Sequence, residues 1–229
     1  MSNCEENILV VNASPRKKSN TQILVDEAVK GIEEIRGARA TVFCLAGKKI
    51  NGCKGICRNY CIKNGNCVQA DDFHEFANLW MKADGIIYAT PVYHMSFPSR
   101  LQALIERLGQ VFFGVSKGQY LRFCKAGGVI AQGHTQYGGQ EYTIEAIIRH
   151  LMLMNCIPVS GDMPCSYVGV GAQQDDMKTN EAVKESARSL GRRVTEIASV
   201  LKFGIVGLKN DLPSDYFYDH QRKFTPPRK

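Results

Sequence analysis

Ile8-Leu-Val-Val-Asn-Ala-Ser-Pro-Arg-Lys-Lys-Ser-Asn-Thr-Gln-Ile-Leu-Val-Asp-Glu-Ala-Val-Lys-Gly-Ile32 is the stretch that decides the fold. Ile8 to Val11 form an unbroken apolar run, mostly β-branched, too short for a helix and suited to a strand buried on both faces. After the polar turn that follows, Leu24, Ala28, Ile32 and Ile35 recur on one helical face, so the stretch reads as a strand, a loop and a helix. The alternation repeats along the chain. Val42–Leu45, Gly85–Ala89 and Gly128–Ala131 are further short apolar runs, and Cys156–Val159 is a fifth that Pro158 interrupts. Helical stripes separate and follow them: a short helix from Asp71 to Lys82, then Leu101, Leu104, Ile105, Leu108 and Phe112 after Pro98. Ile144, Ile147, Ile148 and Leu151 mark the next helix, and Val183, Ala187, Leu190, Val194, Ile197 and Leu201 the last. Strands alternating with helices predict an α/β fold, a doubly wound, five-stranded parallel sheet covered on both faces. One domain over residues 1–203 accounts for this series. Outside its minimal core lie a cysteine-rich insertion at about 47–70, after the second strand, a Gly-rich stretch from Ser160 to Asn180, and a C-terminal tail over 204–229. The tail carries Tyr216-Phe-Tyr218, and three aromatics in succession favour an arm ordered on another subunit over a solvated terminus.

The 229 residues are 44% hydrophobic and 22% charged, a composition that excludes collagenous, coiled-coil and disordered classes. No apolar run approaches the ~18 residues of a membrane span, and acids follow the initiating Met where a signal peptide would carry bases. A cytoplasmic protein with reduced thiols is expected, its nine cysteines serving as buried thiols, metal ligands or redox groups rather than as disulfides. The net charge of +7 is localised: Arg36, Arg39, Lys48, Lys49, Lys54, Arg58 and Lys63 fall between Ile35 and Ala70, where there is no Asp or Glu. With Tyr60 as the only aromatic among the bases of the cysteine segment, that segment is a poor platform for nucleic acid.

Ligands of doubly wound sheets bind beyond the carboxyl ends of the strands, which singles out the loops after strands one, three and four. The first, Asn12 to Thr21, enters a helix N-terminus with Ser14, Arg16, Ser19, Asn20 and Thr21 as donors, a set suited to phosphate. It is neither a Walker loop nor a Gly-x-Gly-x-x-Gly turn. In the third loop Pro91 stops the strand, leaving the backbone of Val92 to Ser96 to meet a flat ring, with Tyr93, His94 and Met95 able to pack on it. His94 has no acid or nucleophile spaced for a triad and reads as a loop histidine. The fourth loop, Gln132 to Glu141, has three glycines that permit close backbone approach to a ligand.

In order along the chain, Ser14-Pro-Arg-x-x-Ser-Asn-Thr21, the cysteine segment running to Asp71-Asp72, Ala83-Asp-Gly-Ile-Ile87, Thr90-Pro-Val-Tyr93, Leu101-x-Ala-Leu-Ile-Glu-Arg107 and Gly138-Gly-Gln-Glu141 closely resemble the NADPH-dependent FMN reductase and iron-sulfur flavoprotein family. The resemblance spans roughly Asn7 to Met163. It implies a flavodoxin-like fold with FMN bound by the matching loops: phosphate on Ser14, Arg16, Ser19, Asn20 and Thr21, isoalloxazine on Pro91, Val92, Tyr93, His94, Met95 and Ser96, and a third contact at Gly138 and Gly139. It further implies NAD(P)H as hydride donor, an acceptor such as a quinone, oxygen species or redox protein (ferredoxin in either direction), and a homo-oligomer, dimer or tetramer. The flavin carries the chemistry, so no side chain is nominated as catalytic acid or base.

Cys53, Cys57, Cys61 and Cys67 form C-x3-C-x3-C-x5-C, soft thiolates that suit a 4Fe-4S cluster or a tetrahedral zinc. The resembling iron-sulfur flavoproteins imply the cluster, although two gaps here are each one residue longer than usual in them; free thiols are the further alternative. Cys4, Cys44, Cys124, Cys156 and Cys165 read as buried or incidental thiols. The rival to an oxidoreductase is a non-enzymatic flavodoxin-like electron carrier or a zinc-stabilised interaction module; simple carriers are typically acidic, and this chain is basic.

Overall fold

The computed structural model describes residues 6–115, 123–162, 166–208, 210–213 and 223–227, the side chains of Cys57 and Arg58 excepted. Strand β1 (Glu6–Asn12) leads to α1 (Asn20–Glu33) and β2 (Ala38–Cys44). The cysteine segment follows, with a π-helical turn at Cys57–Cys61 and the one-turn α2 (Ile62–Asn64). Next come α3 (Phe73–Lys82), β3 (Gly85–Pro91), α4 (Ser99–Val115), β4 (Ala126–Gln132) and α5 (Gln140–Leu153). The remaining elements are β5 (Ile157–Pro158), β6 (Val170–Ala172), α6 (Asp176–Thr179) and α7 (Glu181–Gly207). All pairings are parallel in the order β2-β1-β3-β4-β5. The sheet is thus the doubly wound parallel arrangement that the periodicity predicts and the flavodoxin-like order that the resemblance implies, with a sixth short strand, β6, beside β4 in addition to the five expected.

Its outer lane differs in detail. Pro158 has no N–H to donate, and β5 pairs only at Ile157 and Pro158, against Ala126 and Gly127. The lane resumes with β6, where Val170 to Ala172 pair with Ile130 to Gln132. Strand β6 falls inside the Gly-rich stretch, and three residues are too few to show a period. Helix α7 runs to Gly207, past the point where the tail was expected to begin. The Tyr216 to Tyr218 aromatics, Cys4 and Cys165 lie outside the described residues. Of the described piece of the tail, Phe224 is buried, stacks on Phe112 at 5.5 Å, and exchanges backbone hydrogen bonds with the Asn78 side chain at 2.7 and 2.8 Å.

Alternate residues of each central strand feed opposite faces. Ile8, Val10, Ile87 and Ala89 meet Leu24, Ala28, Ile32, Leu190 and Val194 of α1 and α7. Leu9, Val11, Ile86 and Tyr88 meet Phe76, Trp80, Leu104, Leu108 and Ile147 of α3, α4 and α5. The second face buries a polar chain: Trp80 Nε1 donates to the Tyr88 hydroxyl at 3.0 Å, and that oxygen lies 3.2 Å from Nε2 of His150. Burial pushes His150 down to about 4, leaving a neutral ring able to accept a hydrogen bond from the Tyr88 hydroxyl. Lys125 donates to the carbonyls of Met81 and Ala83, capping the end of α3, and burial pushes it down to about 8. Among the described residues no helix is long and apolar enough to cross a membrane.

Candidate functional site

Strand β1 has β2 on one side and β3 on the other, so the chain reverses its winding direction between β1 and β3. A crevice opens at the carboxyl ends of strands where this occurs. Here it is a cleft of about 430 Å³, lined from one wall by Ser14, Arg16, Lys18, Ser19, Asn20 and Thr21, and from the others by Pro91, Val92, Tyr93, Gln132, Gly133, His134, Gln174 and Lys178. That volume suits a mononucleotide-sized ligand.

The first wall is built by short-range capping. Ser19 has extended backbone angles and its Oγ accepts from the Gln22 N–H at 3.2 Å, which starts α1. Asn12 Oδ1 accepts from Ser14 N at 3.0 Å and Ser14 Oγ from Arg16 N at 3.2 Å, curling the loop over the strand end. Thr21 is 1% exposed, and its Oγ1 has no hydrogen-bond partner. Buried hydroxyls are rarely left without one, so this atom wants an acceptor or donor from outside the chain. With the α1 N-terminus, Arg16, Lys18 and Lys178 around it and no Asp or Glu in the lining, the cleft fits a phosphate.

The loop after β3 turns sharply. Tyr93 and Ser96 exchange backbone hydrogen bonds at 2.6 and 3.1 Å around His94 and Met95, whose φ values are 50° and 66°. Consecutive left-handed residues without glycine are strained, and such strain concentrates at functional loops. The turn leaves Tyr93 and Met95 about half exposed beside the cleft loops. Gly139 caps α5 at φ 100°, and a Cβ there would lie 2.8 Å from Met95 Cα, so the third and fourth loops pack directly on each other. Of the predicted residues, Ser14, Arg16, Ser19, Asn20, Thr21, Pro91, Val92 and Tyr93 line the cleft; His94, Met95, Ser96, Gly138 and Gly139 do not. Sequence reasoning missed Lys18, Gln132, Gly133, His134, Gln174 and Lys178. The first four lay inside loops already singled out, Gln132 ending β4. Gln174 and Lys178 come from beyond β6, where Gln174 accepts from Asn20 Nδ2 at 3.2 Å and lies 2.7 Å from His134 Nδ1.

The cysteine segment leaves the end of β2. Cys53 is exposed, and its Sγ accepts weakly from Gly55 N at 3.5 Å; Cys61 and Cys67 are buried, and none of the three is in a disulfide. The segment lies against α4, where a Cβ at Gly114 would come within 2.5 Å of the Cys61 carbonyl oxygen. Among the described residues no three ligating side chains are gathered, and the Cys57 side chain lies outside them. Around Cys67, Arg107 donates to the Sγ from Nε at 3.3 Å and Nη2 at 3.2 Å, and holds Asp71 in a two-pronged ion pair at 2.7 and 2.8 Å. Burial opposes both charges. The mutual hydrogen bonds outweigh it, so the Asp71 carboxyl is held below its ordinary range and Arg107 above its own. Cysteine sulfur is the ligand type of iron-sulfur cores, so the chemistry of these residues fits such a group, although the three described side chains are not gathered around one point.

Comparison with known proteins supplies the family. The family model for NADPH-dependent FMN reductase matches residues 7–166. The chain belongs to this family. Similar relatives include an iron-sulfur flavoprotein of Methanocaldococcus jannaschii, 33% identical over 85% of this chain and 98% of its own length. Another is an iron-sulfur flavoprotein of Archaeoglobus fulgidus, 34% identical over 85% and 97%. Among solved structures, RosB with a bound formylated riboflavin phosphate intermediate superposes with a TM-score of 0.66 at 14% identity, over 98% of this chain and 94% of that one. The NAD(P)H:quinone oxidoreductase of Methanothermobacter marburgensis gives 0.58 at 15%, over 82% and 98%. At such identities these two show the shared flavodoxin-like fold. As an FMN reductase family member, this chain is an NAD(P)H-dependent flavoprotein oxidoreductase.

Proposed function

We propose that this reductase seats FMN in the cleft between β1 and β3, passes electrons between NAD(P)H and an acceptor, and holds a 4Fe-4S cluster on Cys53, Cys57, Cys61 and Cys67. The observation that carries the flavin assignment is the orphaned Thr21 hydroxyl at the start of α1, within a wall of hydroxyls and cations free of acids. Ser14, Arg16, Ser19, Asn20 and Thr21 take the phosphate, whose two negative charges suit the helix N-terminus. Pro91, Val92 and Tyr93 face the ring system. His94, Met95 and Ser96 hold the shape of that loop, and Gly138 with Gly139 lets the fourth loop close on it. When bound, FMN supplies hydride acceptance from NAD(P)H and redelivery of the electrons singly or in pairs. The protein's own work is orientation and water exclusion.

The cluster assignment rests on the four-cysteine donor set, the charged donors already aimed at Cys67, and the iron-sulfur names of relatives that align over nearly their whole length. The acceptor is a quinone-like small molecule or a redox protein such as a ferredoxin, the location cytoplasmic, and the assembly a homo-oligomer that brings the cluster loop of one subunit towards the flavin of another. Absorption spectra of anaerobically purified protein, with iron, zinc and sulfide analysis, test this. Flavin bands with a dithionite-bleachable shoulder and about four irons per chain are expected. Flavin without iron removes the cluster, zinc in its place changes the metal, and a protein unable to take up FMN overturns the assignment.

A further inference from the structure

Arg107 sits in the middle of α4, 2% exposed and far in sequence from the cysteine segment. A guanidinium offers five N–H donors in a rigid planar fork and no acceptor. Here all five are committed: two to Cys67 Sγ, two to the Asp71 carboxylate, and one to the Asn51 carbonyl at 3.1 Å. The face of the group lies 4.4 Å from the Phe73 ring centroid. Asp71 is well supplied without Arg107, accepting from Asn51 N at 2.9 Å, Asn51 Nδ2 at 3.0 Å and Phe73 N at 3.3 Å. His74 packs behind, its ring nitrogens 3.2 Å from the Cys67 carbonyl and 3.4 Å from that of Asp71. A buried guanidinium is expensive unless its geometry is fully used, and a neutral thiol is a poor reason to aim two charged donors at one sulfur. Two charged donors thus converge on the one sulfur.

We propose that Arg107 is a positioning residue for the metal centre, fixing the Cys67 sulfur as a ligand and raising the reduction potential of the cluster through its two hydrogen bonds, with Asp71 as the counter-charge that limits the effect. This rests on the cluster reading above. Hydrogen bonds to ligand sulfurs and the local charge are among the levers that set the potential of such clusters.

Potentiometric titration of the cluster, followed by electron paramagnetic resonance on the full-length protein, tests it, with iron, sulfide and FMN counted on each sample. Arg107→Gln is expected to move the midpoint to more negative values and Asp71→Asn to more positive ones. Arg107→Lys, which keeps the charge but not the fork, is expected to give a smaller negative shift, and it carries the test if Arg107→Gln does not fold. Loss of iron with FMN retained in the Arg107 variants also supports the positioning role. Damage to packing alone would not move the potential in opposite directions. Full iron with unchanged potentials, or shifts of the same sign, overturns the role of Arg107 and leaves the cluster standing. Wild-type protein without iron overturns the cluster reading and this inference with it.

Discussion

The loop after β1 and the cysteine segment after β2 leave neighbouring parallel strands at the same end of the sheet, yet they are held in opposite ways. The first is held largely by near neighbours: Asn12 to Ser14, Ser14 to Arg16, Ser19 to Gln22. The second depends on distant ones. Arg107 reaches Cys67 from α4, Gly114 admits the Cys61 backbone, and the Asn66 side chain donates to the Thr225 carbonyl at 2.8 Å while its Oδ1 accepts from Cys67 N at 2.9 Å. A loop held by local capping can form as its helix forms, whereas one held by long-range contacts waits for the core and the C-terminal strand of chain to close.

That contrast can be broken most severely at Phe224. The ring is 2% exposed among Phe112, Trp80 and Phe123, and truncating such a core Phe to Ala costs about 3–5 kcal/mol where the segment stays docked. Phe224→Ala is therefore expected to lower the melting temperature and to raise hydrogen exchange around Cys61 to Cys67 while FMN affinity holds. An equal loss of FMN affinity would show that the two loops are coupled.

Acid probes the core both loops share. The unfolded chain protonates the His150 imidazole near pH ~6.5, but the buried ring does so only near 4. Stability is thus complete above pH 6.5 and falls as pH drops towards 4, by about 3 kcal/mol. His150→Gln should flatten chemical-denaturation stability across that window; an undiminished slope would place the acid sensitivity elsewhere. Asp71, with its carboxyl held low, contributes stability that is present above its unfolded pKa and lost only as pH falls through its lower folded value. The Cys67 anchor should therefore outlast the His150 network on acidification.

The smallest effect is expected at Ser19. Removing its cap costs about 1 kcal/mol of stability, and Ser19→Ala with Asn20→Ala should weaken FMN retention, read by fluorescence of the released flavin, with iron content unchanged. Unaltered retention would displace the phosphate from the loop after β1.

The difference also explains what could be read in advance. Strand and helix periodicity and the Pro91 stop are local in sequence, and the elements lie where the residues place them. Gln174 and Lys178 escaped notice because β6 is only three residues long and its partner, Ile130 to Gln132, lies some forty positions earlier. The aromatics that suggested an arm, Tyr216 to Tyr218, lie outside the described residues, whereas the Phe224 backbone is held by Asn78, which offers it both a donor and an acceptor.

The sequence by itself determined the α/β architecture, the loops that form the cleft and the four thiols of the cysteine segment, because periodicity, capping and ligand chemistry are properties of residues close together in the chain. Only the tertiary structure decided that Arg107, from a helix outside the cysteine segment, confronts the Cys67 sulfur. A buried charge takes its meaning from the partners that surround it in space, and the hydrogen-bond partners of Arg107 lie 36 to 56 residues away along the chain.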